Sequence, residues 1–150
     1  MMYVDYVTSV DTIIFNPKYN KPLDPILLSN YKKIIFSNYV LSDGLFEAYE
    51  LNNDFTNFKN MFSKFNQPLA NSLDNCKFLI NLTFGYFFNQ PLANSFDNCT
   101  MLSILVFGCA FNQPLLNSLD NCKSLTHIIF GGCFNWHLHN SLVVCTALTH

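Results

Sequence analysis

The chain has 150 residues, half of them hydrophobic, with 12% charged, a net charge of −2 and no Arg. That length builds one domain with a buried core, and such sparse charge leaves Asn, Ser, Thr and Gln to cover the surface. Eight Lys without Arg argue against nucleic-acid binding, which needs basic groups to displace counterions from phosphates.

The chain opens with "MMYVDYVTSVD". It has no basic start and no long apolar run, and Asp5 comes early, so it does not read as a signal peptide. No apolar stretch approaches the roughly 20 residues that span a bilayer. A reducing, cytoplasmic setting is expected, without secretion or membrane insertion. The sequons at Asn81 and Asn98 would then stay unglycosylated. Residues 1–11 read as a lead-in or cap.

"TIIFNPKYNKPL" (Thr12 to Leu23) aligns with "HIIFGGCFNWHL" (His127 to Leu138), five periods of 23 further on. After Leu23 the register slips, and Phe36 arrives about two residues early. Residues 39–64 read as one degenerate coil, because Phe55, Phe58 and Met61 keep apolar spacing. Residues 12–64 are thus degenerate repeats.

From Phe65 onward the repeat is regular, and its last copy is incomplete. "FNQPLANSLDNC", "FNQPLANSFDNC" and "FNQPLLNSLDNC" begin at Phe65, Phe88 and Phe111. Cys76, Cys99, Cys122 and Cys145 recur in phase. So do Phe84, Phe107 and Phe130, each followed by Gly. A unit of this size buries its apolar face only by stacking on its neighbours. The expected fold is an α/β, leucine-rich-repeat-like solenoid spanning 1–150, with about six coils. A parallel sheet lines one side, and short helical, 3₁₀ or irregular segments line the other. In "LINLTFG", Leu82 points in, Thr83 out and Phe84 in, a strand alternation. Gly85 turns the chain where a side chain would obstruct or positive φ is needed. Pro68, with Ser72 in an N-cap place, suits a short helix or 3₁₀ turn opposite. Phe65, Leu69, Leu73, Cys76, Leu79, Leu82 and Phe84 are the expected core. Asn66, Asn89, Asn112 and Asn135 are expected to form a ladder on unpaired backbone groups.

None of the chemical residues forms a catalytic pattern. The in-phase cysteines read as small apolar fillers, and there is no C-x-x-C pair. Cys109 and Cys133 lie at different phases and carry no signal. His127 and His150 share a phase, and His137 and His139 form H-x-H, but all four read as polar surface rather than zinc ligands. Asp74, Asp97 and Asp120 read as first-turn helix acids rather than a calcium row. With no triad and no phosphate loop, neither enzyme activity nor a metal or cofactor is expected.

The informative variation is on the strands. Outward positions carry Asn81 and Thr83, Ile104 and Val106, then His127 and Ile129, with Thr12 and Ile14 in the same places earlier. These make the candidate partner-binding face. The last unit replaces polar letters with Trp136, Val143 and Val144. Two expectations follow there: self-association end to end through Trp136, Val143, Val144 and Leu148, or a shortened member of a longer repeat family.

"LTHIIFGGCFN" and "LTFGYFFNQPL" resemble the FNIP repeat, a leucine-rich-repeat-like unit of social amoebae and giant DNA viruses of amoebae. "NMFSKFNQPL" also resembles the BspA-like repeat. The FNIP resemblance covers roughly Thr12 to His150. It implies a leucine-rich-repeat-type solenoid and an interaction role, with an unidentified protein partner that a viral chain would find in its host. Relatives often carry an F-box that recruits a ubiquitin ligase. Thr12 to Phe36 already reads as repeat here, so no F-box is expected ahead of it.

Overall fold

Each short alternation of Ile or Leu with Phe becomes a strand of three or four residues, because one side of it must face the stack. The computed structural model describes residues 5–36 and 63–150. The strands are β1 (Tyr6–Thr8), β2 (Thr12–Phe15), β3 (Lys33–Phe36), β4 (Asn81–Thr83), β5 (Ile104–Val106) and β6 (His127–Ile129). They form one sheet in chain order. β1 runs antiparallel to β2, and every later pair is parallel. Sequential parallel neighbours are what a coiling chain produces. The molecule is a β-solenoid of about four turns with little helix.

The repeat phase predicts about six coils, and the difference has a local cause. Lys33 pairs directly with Asn81, and Ile34 with Leu82. Two periods of sequence therefore separate adjacent strands. Phe36 stacks on Phe65 at 4.1 Å and on Phe84 at 5.7 Å, so the core is continuous across the same step. The coil expected at 39–64, with Phe55, Phe58 and Met61, lies outside the described residues except for Ser63 and Lys64. β3 and β4 pair directly, so they are adjacent in the ladder. The earlier slip is also explained. Thr12 pairs with Lys33, a coil two residues short, which the single helical turn α1 (Pro25–Leu28) spans. Asp24 caps α1 by accepting from the Ile26 and Leu27 N–H groups at 2.8 and 3.4 Å, and Pro25 needs no donor at that position.

The side opposite the sheet is built from turns instead of helices. The Ser72, Cys76 and Leu79 N–H groups donate three residues back, to Leu69, Leu73 and Cys76. The next two coils repeat this set. Ala70, Asn94 and Leu116 have φ of 39°, 57° and 42°, a left-handed step that a helix cannot accommodate. This corrects two expectations. Ser72 is a buried residue inside a turn, not a helix cap. Asp74, Asp97 and Asp120 head no helix, so no dipole favours them. Among the described residues, η1 (His139–Leu142) is the one 3₁₀ element.

The core follows the predicted letters. Phe65, Leu69, Leu73, Cys76, Leu79, Leu82 and Phe84 are all buried. Two columns of rings run along the stack. Phe15, Phe36, Phe84, Phe107 and Phe130 form one. Phe65, Phe88, Phe111 and Phe134 form the other, with Tyr19 at its start. The columns meet at 3.9 Å between Phe84 and Phe88 and between Phe107 and Phe111. Rings repeat in near-parallel orientation because each coil repeats the last, and parallel-displaced pairs suit the ring quadrupoles. The glycines after the strands have a packing reason. A Cβ on Gly131 would lie 2.5 Å from the Cys109 Cα, so the coils touch backbone to backbone there. Neither Gly108 nor Gly131 has a positive φ, which leaves obstruction as the cause.

Candidate functional site

The outward strand residues fall into two straight columns because every register step keeps phase. Thr12, Lys33, Asn81, Ile104 and His127 are aligned in one, and Ile14, Ile35, Thr83, Val106 and Ile129 in the other. Between them Ile13, Ile34, Leu82, Leu105 and Ile128 are buried inward. All six residues proposed from the sequence, Asn81, Thr83, Ile104, Val106, His127 and Ile129, therefore share one face. Lys33 and Ile35 join them, and sequence reasoning missed both because the register slip hid their phase. The two columns differ in chemistry. The second is apolar except for Thr83 and continues into Val7 of β1, which pairs with Ile14. The first mixes a cation, an amide and an imidazole. Ile129 is half exposed (50%).

His127 has a defined orientation. Thr126 Oγ1 donates to the Ser103 carbonyl at 3.0 Å and lies 2.9 Å from His127 Nδ1. The contact fixes the Nδ1 edge of the ring toward Thr126. Thr149 and His150 repeat the arrangement. The two imidazoles stack at 4.6 Å, tilted by 1°. Of the sequence's other histidines, His137 is exposed on a different part of the coil, and the side chain of His139 lies outside the described set. Among the described residues, no three His, Cys, Asp or Glu side chains gather as metal ligands.

At the coil edge the asparagine ladder is present, with one more rung than expected. Asn66, Asn89, Asn112 and Asn135 each donate their backbone N–H to the side-chain oxygen of the preceding Asn, at 2.8–2.9 Å, starting from Asn20. Gln67, Gln90 and Gln113 brace the same carbonyl groups. Trp136 takes the Gln place and donates Nε1 to the Asn112 carbonyl at 3.0 Å. Its indole is thus a structural substitute with one exposed face. Asn89→Leu is expected to lose about 1–3 kcal/mol, since the Asn112 N–H loses its acceptor and the Gln113 amide one of its two. Urea denaturation beside wild type measures it, and Asn89→Asp, which keeps an acceptor oxygen, should recover part.

The in-phase cysteines are interior. Cys76, Cys99, Cys122 and Cys145 are buried and free. Burial pushes the Cys76 and Cys122 thiols from 9.0 up to about 12, and raises Cys99 and Cys145 as well. Asp74 adds to the effect at Cys76. A thiol raised on folding holds its proton longer in the native state than in the unfolded chain. Its stabilising share is complete below pH about 9 and is lost as pH rises toward about 12. Stability is therefore expected to fall above pH 9, by up to about 1.4 kcal/mol per pH unit for each such thiol. Urea midpoints between pH 8 and pH 11 test this, and Cys122→Ala should flatten the slope.

The last coil differs in burial. Phe134, Leu138, Leu142 and Leu148 are half-buried, whereas their mates Phe111, Leu115, Leu119 and Leu125 are fully buried. Of the residues proposed for self-association, Val144 and Leu148 pack partly against the core, and Trp136 and Val143 are exposed. At the β6 edge the Ile128 N–H donates to the His150 carbonyl at 2.9 Å. No helix among the described residues is long and apolar enough to cross a membrane.

The fold and this face define a repeat solenoid of the parallel β class. Compared with protein-family models, curated proteins and solved structures, the chain matches none.

Proposed function

We propose that the protein is a non-enzymatic interaction solenoid that binds a protein partner along its outer strand face. The reading includes the FNIP-repeat, leucine-rich-repeat-like character that the motifs resemble, and a cytoplasmic setting, that of the host if the chain is viral. The observation that carries it is the pair of aligned columns. Core letters are held constant while the outward ones vary. The apolar column from Ile14 to Ile129 stands beside Lys33, Asn81 and His127, which offer directional polar contacts. A partner fitting this face lays apolar side chains along the first strip and presents acceptors to Lys33 and Asn81. Few residues on such a face carry most of the energy, and Val106 and Ile129 lie at its exposed end.

The test is a pull-down with wild type and with Val106→Asp/Ile129→Asp, each checked for native circular dichroism. The expected result is a protein held by wild type and lost, by tenfold or more in yield, from the folded double variant. Equal capture by both would refute the face.

The half-buried end of the last coil favours a second reading, end-on self-association through Trp136, Val143, Val144 and Leu148. Sedimentation at rising concentration distinguishes it. A dimer abolished by Val143→Asp/Leu148→Asp supports it, and a monomer throughout rejects it.

A further inference from the structure

Cys109 and Cys133 are 24 residues apart in a chain whose period is 23, so neither the repeat nor the in-phase cysteine column includes them as a pair. The stacking nevertheless brings them together. The Cys133 N–H donates to the Cys109 carbonyl at 3.2 Å, which sets their backbones at the coil-to-coil interval of about 5 Å. The two Sγ atoms lie 3.7 Å apart. Cys133 is exposed and Cys109 half-buried, while the other four thiols are buried. A disulfide accepts Cα separations of about 4.4–6.8 Å, so side-chain rotation alone can close the gap.

We propose that Cys109 and Cys133 are a surface dithiol that closes into an inter-coil disulfide by exchange with small-molecule disulfides such as oxidised glutathione. The thiolate of one of the two cysteines attacks one sulfur of the glutathione disulfide. An S–S bond forms between that cysteine and that sulfur, and the other glutathione leaves as its thiolate. The thiolate of the second cysteine then attacks the capped cysteine's Sγ, and the second glutathione thiolate leaves. Two protein thiols are oxidised, one disulfide is reduced to two glutathione thiols, and the two protons released from the protein end on them. The two Sγ atoms face each other at 3.7 Å, so whichever thiol is capped first leaves the other in place as the resolving thiol. The closed bond ties the β5 coil to the β6 coil and encloses His127 and Ile129. The buried thiols lack access to any such reagent.

The test uses the full chain, reduced, desalted and incubated with oxidised glutathione, then alkylated without denaturant and mapped by mass spectrometry. Before oxidation, two thiols, Cys109 and Cys133, should alkylate rapidly. Afterwards both should be lost to a Cys109–Cys133 linked peptide that dithiothreitol reverses. Cys133→Ser should stop at a glutathione adduct on Cys109, with a melting curve matching that of reduced wild type. Thiols that stay alkylatable after oxidation would overturn the proposal. So would stable glutathione adducts on both cysteines of wild type, or bonds formed only between molecules.

Discussion

Phe111→Ala is expected to lose about 3–5 kcal/mol, the cost of removing a fully buried ring where the surroundings relax little. Phe111 is completely buried. It stacks on Phe107 at 3.9 Å, on Phe88 at 6.1 Å and on Phe134 at 6.0 Å. Its removal opens a cavity in both ring columns at once. Neighbouring coils cannot collapse into it, because the sheet on one side and the asparagine ladder on the other hold their spacing. Phe134→Ala makes the matched comparison. That ring occupies the same phase but is half-buried, so its loss should cost well under half as much. Urea denaturation of both variants measures the difference. Equal costs would mean that ring stacking, and not coil-on-coil burial, sets the energy.

Gly108→Ala is the second large effect, expected at about 3 kcal/mol or more. A Cβ there would overlap the Gly85 carbonyl and lie 2.8 Å from the Tyr86 Cα. Both are backbone atoms of the preceding coil, so no rotamer change relieves the clash. The coils would have to separate, and Phe107 and Phe111 would shift with them. Gly132→Ala provides the control, since nothing lies within 4 Å of its Cβ position. That change should be neutral, or gain up to about 1 kcal/mol by restricting the unfolded chain. A Gly108→Ala protein as stable as wild type would show that the coils are not in backbone contact.

Much of the architecture was legible before any coordinates. A period of 23 with constant Phe, Leu and Cys letters could satisfy its apolar groups only by stacking. The alternation in "LINLTFG" placed Leu82 and Phe84 inward and Thr83 outward, as observed. The asparagine column was legible too, because a polar residue repeated at one phase beside Phe needs a repeated partner. Of the two readings of "PLANSLDNC", a short helix or a 3₁₀ turn, the backbone takes the turns. Apolar spacing of three fits a helix and also a run of separate three-residue turns, and the left-handed step at Ala70 selects the turns. Nothing in the spacing of Leu73, Cys76 and Leu79 distinguishes the two.

The sequence by itself determined the repeat unit, the side chains that point inward and the outward positions free to vary. These follow from periodicity, since a residue's phase decides its face wherever copies stack in register. Only the tertiary structure decided which coils are neighbours and which off-phase residues meet. β3 pairs with β4 across 48 positions, so phase alone overcounts the turns. Cys109 and Cys133 touch although their phases differ. The physical reason is the same in both cases. Periodicity describes contacts between equivalent positions, whereas insertions and one-residue offsets create contacts that depend on where the backbone actually passes.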